Sequence, residues 1–262
     1  MRIGLLGKNL SHSFSPLIHN FIYKKLNLKL NYELFEVGEN EIDNFKNHML
    51  KENIKAVNIT IPYKKRFIDS LDFITENAKK ITAINLMYIK NGKFYGDNTD
   101  YYGFEYSLKK NSVNVENKKI YILGRGGASL AVDSVLRNLG ATDINYIFRA
   151  DKKSPVIFDE NISGDILINT TPVGMYPNIY DNIIPSDIIS KFSLAIDLIY
   201  NPLETKFLKI ASALNLKTIN GLDMLIEQAI KTDEILFEKK FNMTLREDLK
   251  FYLEKFFLGA NK

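Results

Sequence analysis

A lysine stands where a strand-like segment ends. In the segment NITIPYKK, residues 58–65, the β-forming residues Ile59 to Ile61 end at a proline, and Lys64 follows. A solvated helix that begins there would also explain a lysine. Open α/β sheets, however, bind ligands beyond the carboxyl ends of their strands, where an ammonium group can transfer a proton to a bound molecule. The segment raises the hypothesis that Lys64 is catalytic.

Two carboxylates, Asp97 and Asp100, lie in the segment YGDNTDYYG between a predicted hairpin and a predicted helix. Either one can cap that helix. Asp100 falls where the chain passes from one predicted domain to the next, so its carboxylate can face Lys64. A lysine and an aspartate paired in a cleft can hold and tune a proton-transferring group.

Two hydroxyls precede the first predicted helix in the segment SHSFSPLIHN. Ser15 is expected to cap this helix and Pro16 to be its first residue, but capping does not explain Ser13. Hydroxyls beside the amino terminus of a helix form a site for a small carboxylate. A purely structural role for both serines is the alternative.

A glycine-rich turn links a strand pattern to a helix pattern within residues 119–140. The order of strand, GRGG at residues 124–127, and helix is that of a dinucleotide-binding turn, in which glycines let the backbone approach a pyrophosphate. A tight turn required by packing alone is the alternative. After the next strand pattern, Arg149 favours the 2′-phosphate of NADP, although Asp151 leaves NAD open.

Composition and charge argue against several classes of protein. The chain has 262 residues and a formal net charge of +4, but its lysines are scattered in pairs, which argues against a nucleic-acid partner. It has no cysteine, and its three histidines lack metal-ligand spacing, so no metal is expected. No apolar run reaches the roughly 18 residues of a membrane helix, and no signal peptide is recognised. We expect a cytoplasmic protein, a monomer or a homodimer, with a small-molecule substrate.

Two alternating series of strand and helix patterns must position these residues. The first series fills the first hundred residues, with a helix expected through residues 64–80 and a hairpin turn at Asn91-Gly92. The second series contains the strand patterns KIYILG, INYIF, DILINTTP and LAIDLIY. Only helix patterns occur from Leu222 onward. This alternation predicts an α/β fold.

The expected architecture has two domains with a cleft between them. An α/β substrate-binding catalytic domain comprises residues 1–100 plus 222–262, with the C-terminal helices packing back on it. A Rossmann-type nucleotide-binding domain with a doubly wound parallel sheet comprises residues 101–221.

Several segments, taken in their order, resemble the shikimate dehydrogenases of the shikimate/quinate dehydrogenase family over essentially the full length of the chain. These segments are SHSFSP, NITIPYK, AIN, GDNTD, GRGGAS, INTTPVGM, DLIYNPLETKFL and NGLDMLIEQA. The resemblance implies that Lys64 and Asp100 are the catalytic pair. The substrate contacts that it implies are Ser13, Ser15, Thr60, Asn85, Tyr200 and Gln228. The cofactor contacts that it implies are Gly124, Gly126, Gly127, Ala128, Arg149, Lys153, Thr170 and Gly221.

The function implied by the resemblance is the NADP-dependent, reversible reduction of 3-dehydroshikimate to shikimate in aromatic amino-acid biosynthesis. An NAD-preferring quinate/shikimate dehydrogenase and a catalytically silent nucleotide-binding paralogue are the alternatives. The chain departs from the usual residues of the family in two places near the expected cofactor. Arg125 stands where a small residue is common, and Phe148 stands where an asparagine precedes the arginine of the second strand end.

Overall fold

The structure of the protein is a computed structural model that describes residues 1–148, 159 and 161–260. Arg149 and Lys153, two of the expected cofactor residues, lie outside the described residues. The chain divides into two compact units. The first unit comprises Met1–Gly103 and Ile226–Leu249, and the second comprises Phe104–Leu225 and Lys250–Lys262. Within the described residues, no helix combines the length and apolar character needed to cross a bilayer.

A mixed sheet of six strands forms the centre of the first unit. The strands are β1 (Arg2–Gly7), β2 (Tyr32–Glu36), β3 (Ile54–Ile59), β4 (Phe73–Ile74), β5 (Leu86–Lys90) and β6 (Lys93–Asp97). They lie in the order β2-β1-β3-β5-β6-β4, with β1 parallel to β2 and β3, and β5 antiparallel to β3 and β6. The predicted hairpin is confirmed, because β5 and β6 flank Asn91-Gly92 and both turn residues have positive φ.

Three α-helices and three 3-10 turns lie in the first hundred residues, and no long helix directly follows Lys64. They are α1 (Ser15–Lys25), α2 (Phe45–Lys51) and α3 (Glu76–Ile81), with 3-10 turns at Ile42–Asn44, Tyr63–Lys65 and Ile68–Ser70. The prediction of one helix through residues 64–80 is wrong. Asp72 explains why: its N–H donates to the carbonyl of Phe94 (3.0 Å) and its carboxylate accepts from the N–H of Phe94 (2.8 Å). These bonds tie the segment to β6 as the short strand β4.

The carboxyl ends of β1 and β3 lie side by side because the two strands are parallel neighbours. Leu6 of β1 and Val57 of β3 are buried in one apolar cluster with Met49 of α2, which fixes both strands. A Cβ atom at Gly7 would lie 2.7 Å from the Cγ2 atom of Thr60, so the chain after β1 packs directly against the chain after β3. Residues that follow these two strands therefore meet at one edge of the sheet.

The second unit contains a five-stranded sheet in which all neighbouring strands are parallel. Its strands are β7 (Lys119–Leu123), β8 (Asp143–Ile147), β9 (Ile166–Asn169), β10 (Leu194–Asp197) and β11 (Lys217–Ile219). The order is β11-β10-β9-β7-β8, so the direction of winding reverses between β7 and β9. This is a doubly wound sheet, which confirms the predicted α/β fold class, and its switch point lies between β7 and β9.

Six further helices lie in the described part of the chain. They are α4 (Thr99–Lys110), α5 (Gly127–Asn138), α6 (Ser186–Ile189), α7 (Lys206–Ala213), α8 (Leu222–Leu236) and α9 (Met243–Ala260). Buried apolar residues of α7 and β10, including Phe207, Leu208 and Ala195, share one core cluster of the second unit. The strand β11 was not predicted, because three residues carry too little pattern.

Candidate active site

Lys64 and Asp100 form an ion pair in the first unit. The Nζ atom of Lys64 lies 2.5 Å from the Oδ2 atom of Asp100, and the two side chains are 18% and 14% exposed. Lys64 belongs to the 3-10 turn that follows β3, and its carbonyl accepts from the N–H of Ile84 (2.8 Å). The neighbouring Tyr63 is buried and donates its hydroxyl to the carbonyl of Val37 (2.7 Å). The turn is thus fixed while the ammonium group stays partly accessible.

Asn85 holds the other oxygen of Asp100. Its Nδ2 atom donates to the Oδ1 atom of Asp100 (2.9 Å) and to the hydroxyl of Thr99 (3.0 Å), and its Oδ1 atom accepts from the N–H of Thr99 (2.5 Å). Asn85 is 4% exposed. The amide has two N–H bonds, and both are used inside the protein. These bonds let Asn85 position Asp100, and the contact with substrate that the resemblance implied stays a prediction.

A second layer of buried side chains supports Asn85 and the start of α4. The hydroxyl of Thr99 lies 3.2 Å from the hydroxyl of Thr232 on α8, which accepts from the Nδ2 atom of Asn58 (3.0 Å). Asn58 in turn accepts from the hydroxyl of Tyr32 (2.7 Å). Sequence reasoning missed these residues. The polar Asn58 inside an otherwise apolar strand pattern is the signal that could have found them.

The first carboxylate of the segment YGDNTD has a different position. Asp97 is buried, and its Oδ1 atom accepts from the hydroxyl of Thr75 (2.6 Å) and from the N–H of Asn98 (2.7 Å). Burial raises the pKa of Asp97 above its ordinary value, against the lowering effect of these hydrogen bonds. Asp97 thus links the start of α3 to the end of β6, whereas Asp100 pairs with Lys64.

The serines before α1 are arranged differently from the prediction. Phe14 precedes the helix, Ser15 is its first residue and Pro16 its second, so the prediction that Ser15 caps the helix is wrong. The Oγ atom of Ser13 accepts from the N–H of Ser15 (3.2 Å), which, in the first turn, has no carbonyl partner within the helix. Both serines are half-buried and lie in the chain after β1, at the edge of the sheet where Thr60 and Lys64 follow β3.

Two expected substrate residues lie on other elements. Gln228 is half-buried on α8, and its carbonyl accepts from the hydroxyl of Thr232 (3.0 Å), which connects this helix to the buried layer behind Asn85. Tyr200 follows β10 in the second unit, and its ring centroid lies 5.8 Å from that of Phe257. Burial raises the pKa of the Tyr200 hydroxyl.

The glycine turn of the second unit lies between β7 and α5. Gly124 has φ of +102°, and a Cβ atom there would lie 3.0 Å from the hydroxyl oxygen of Thr170. Gly126 precedes α5, and no atom of the described residues, apart from its own neighbours in the chain, lies within 4 Å of the place of a Cβ there. Gly127 and the half-buried Ala128 are the first residues of α5. The turn lies at the switch point of the sheet, so its N–H groups can hold a dinucleotide.

Thr170 and Gly221 have packing roles that are visible in the structure. The hydroxyl of Thr170 donates to the carbonyl of Leu123 (2.7 Å), which joins the ends of β7 and β9. A Cβ atom at Gly221 would lie 1.9 Å from the carbonyl oxygen of Leu198, so only glycine fits there. These contacts hold the chain beside the glycine turn and at the start of α8.

Asp197, which sequence reasoning did not single out, stabilises the same edge of the sheet. It accepts from the Nδ2 atom of Asn169 (3.1 Å), from the hydroxyl of Thr205 (2.6 Å) and from a backbone N–H. Burial raises the pKa of Asp197 to about 7. Asn169 also accepts from the N–H and hydroxyl of Thr171, so that the pair fixes the chain next to Gly124.

Comparison with known proteins identifies the family. The family described as "Shikimate dehydrogenase substrate binding domain" matches residues 5–87. A curated relative from Clostridium beijerinckii, named "Shikimate dehydrogenase (NADP(+))", is 43% identical over 257 residues, which cover 94% of this chain and 95% of the relative. This chain belongs to the shikimate dehydrogenase family. The resemblance seen in the sequence is therefore confirmed.

Solved structures of the shikimate dehydrogenase family agree with the fold. A chorismate mutase/shikimate 5-dehydrogenase fusion protein from Clostridium acetobutylicum has a TM-score of 0.91 at 36% identity, covering 98% of each chain. A shikimate 5-dehydrogenase from Thermus thermophilus, in complex with NADP(H) and shikimate, has a TM-score of 0.83 at 27% identity, covering 96% of this chain and 99% of that one. The shikimate dehydrogenase fold thus extends over nearly the whole chain.

Proposed function

We propose that this protein is an NADP-dependent shikimate dehydrogenase that reversibly reduces 3-dehydroshikimate to shikimate in the biosynthesis of aromatic amino acids. The observation that carries the proposal is the ion pair of Lys64 and Asp100 at the edge of the sheet. A protein that only bound a nucleotide would have no use for a proton donor held in this way. The names of relatives that match over 94% of the chain support the same activity.

Lys64 is proposed to donate the proton that the ketone oxygen needs as it becomes a hydroxyl, and to take it back in the reverse direction. Its ammonium group has three N–H bonds, so it can bind Asp100 and a substrate oxygen together. Asp100, held by Asn85, keeps the ammonium group aligned. When NADPH is bound, it supplies the hydride for the carbonyl carbon.

The remaining site residues are proposed to bind the two ligands. Substrate carboxylate and hydroxyls would be held by Ser13, Ser15, Thr60, Asn85, Gln228 and Tyr200. The cofactor would be held by Gly124, Gly126, Gly127, Ala128, Thr170 and Gly221, with Arg149 and Lys153 at the 2′-phosphate. The open space at Gly126 and the N–H groups at the start of α5 fit its pyrophosphate.

We also propose the domain boundaries, the location and the assembly of the protein. Residues 1–100 plus 222–262 would form the substrate-binding domain and residues 101–221 the NADP-binding domain. The protein would act in the cytoplasm as a monomer or homodimer, without a nucleic-acid partner. The scattering of its lysines in pairs supports the last point.

One assay separates this function from its two alternatives. The purified protein is mixed with shikimate or quinate and with NADP or NAD, and the absorbance of the reduced nicotinamide is followed. We expect the highest kcat/KM with shikimate and NADP, and a rise in KM for NADP in Arg149→Ala. Equal efficiency with NAD and comparable turnover of quinate would indicate the quinate/shikimate enzyme. No reduction of either cofactor by a folded protein would indicate the silent paralogue.

A further inference from the structure

Arg125 and Phe148 lie together at the carboxyl edge of the second sheet. The strands β7 and β8 are parallel neighbours that pair Leu123 with Ile147 at their ends, and the N–H of Gly124 donates to the carbonyl of Ile147 (2.8 Å). Gly124 and Phe148, which follow these two strand ends, are therefore also adjacent, and Arg125 comes directly after Gly124. The Cζ atom of Arg125 lies 5.0 Å from the centroid of the Phe148 ring, within the range of a cation–π contact.

The two side chains form an exposed pair rather than a part of the core. Phe148 is 42% exposed, and Arg125 is exposed as well. A guanidinium group has five N–H donors, and its cation–π contact with a ring does not depend on a hydrogen bond. The ring thus limits where the guanidinium can lie while leaving its hydrogen-bonding capacity available to a ligand.

The pair lies where a dinucleotide-binding sheet contacts the adenosine part of its cofactor. The first turn holds the pyrophosphate, and the end of the second strand faces the ribose of the adenosine. A carboxylate there binds a 2′-hydroxyl, whereas an arginine accommodates a 2′-phosphate. Arg125 comes from the first turn, but its contact with Phe148 directs its guanidinium to the end of the second strand.

We propose that Arg125 is a specificity-determining residue for the 2′-phosphate of NADP, and that Phe148 holds its guanidinium in place. The inference rests on the proposed function, since it names a contact with the same cofactor. An arginine is suited to this task, because its fork of N–H donors can bind two phosphate oxygens at once. The two departures from the usual family residues, at Arg125 and Phe148, thus act as one unit.

Binding to fragments of the cofactor tests the proposal without any turnover. Full-length protein is titrated calorimetrically with adenosine 2′,5′-bisphosphate and with AMP, which lacks the 2′-phosphate. We expect Arg125→Ala to weaken the bisphosphate about tenfold or more, equivalent to about 1.4 kcal/mol. Its affinity for AMP should stay within about twofold, because AMP has no 2′-phosphate for Arg125 to bind and the pyrophosphate turn is unchanged.

Three further variants separate position from charge. Phe148→Leu keeps the guanidinium but removes the ring face, and we expect it to weaken the bisphosphate by about threefold with AMP unchanged. Arg125→Lys keeps the charge without the planar fork and should fall between the parent and Arg125→Ala. Lys209→Ala is the matched loss of one exposed charge, on α7, which packs against β10 and β11 at the other edge of this sheet. It should leave both affinities unchanged.

The outcomes distinguish this inference from the function on which it rests. A parent protein that prefers the bisphosphate to AMP, with the same preference in a folded Arg125→Ala variant, overturns the role of Arg125 alone. Equal weakening of both ligands in that variant also overturns it, because the residue would then act on the common part of the nucleotide. A parent protein without any preference overturns both this inference and the proposed use of NADP.

Discussion

Three substitutions of Lys64 separate proton transfer from stability. Lys64→Arg keeps a cation that can pair with Asp100, but an arginine does not give up its proton in a protein. Lys64→Met keeps most of the aliphatic stem and removes the cation. Lys64→Ala removes both. If Lys64 is the proton donor, all three variants should lose activity, although they differ in what they do to the fold.

The expected magnitudes differ enough to be told apart. Loss of a positioned acid or base lowers turnover by roughly 10²–10⁴-fold. Loss of an ion pair of this exposure costs about 1 kcal/mol of unfolding free energy, since both side chains still reach solvent. Lys64→Arg should lose less stability than Lys64→Ala, because its guanidinium can still bind the carboxylate. A folded protein that is 1 kcal/mol less stable remains almost fully folded, so stability cannot explain a hundredfold loss of turnover.

The assay is steady-state turnover with shikimate and NADP, together with thermal unfolding of each variant. NADP binding should change little, because the glycine turn belongs to the second unit. Asp100→Asn should also slow turnover, and Lys64→Ala with Asp100→Asn should be little worse than the worse single variant, since both serve one proton transfer. Turnover within a few-fold of the parent in folded Lys64→Arg or Lys64→Met would refute the reasoning.

Three other predictions concern stability. Arg246→Ala should lower the free energy of unfolding in denaturant by about 3–5 kcal/mol. The arginine binds the carboxylates of Glu227 at 2.7 Å and Glu234 at 3.2 Å, whose side chains are only 10% and 5% exposed. A loss below about 1 kcal/mol would contradict this. Gly221→Ala should lower Tm by several degrees, equivalent to about 3 kcal/mol, since the added methyl would overlap the carbonyl of Leu198; an unchanged Tm would show that the chain relaxes freely. Burial raises the pKa of Asp197 from 3.8 to about 7, so the folded protein keeps a proton that the unfolded chain has lost. The stability that this proton contributes should therefore fall as the pH rises from 3.8 to about 7, relative to Asp197→Asn, and a constant difference between the two proteins across this range would refute it.

Much of the fold and part of the site could be predicted, because the relevant signals are local. A strand pattern that ends before Lys64, and a glycine turn between a strand and a helix, each place residues at the carboxyl edge of a sheet. The hairpin at Asn91-Gly92 follows from two residues that tolerate positive φ. The wrong helix through residues 64–80 shows the limit, since hydrogen bonds between Asp72 and the distant Phe94 override the local pattern.

The hydrogen bond from Asn85 to Asp100 could not be predicted, because it depends on contacts between residues that are distant in sequence. Its partners Thr99 and Asp100 come from α4, and the next layer brings Thr232 from α8 to Asn58 of β3. No periodicity or spacing joins these segments.

The buried side chains behind Asn85 explain how a partly accessible turn can carry a precise ion pair. A buried polar group is stable only when its hydrogen bonds are made, so a chain of such groups has few alternative arrangements. Here the series of hydrogen bonds begins at Tyr32 and ends with Asn85, whose amide fixes one oxygen of Asp100. The other oxygen is left for Lys64, and the direction of the ammonium group is thereby set from the core of the unit rather than by the turn that carries the lysine.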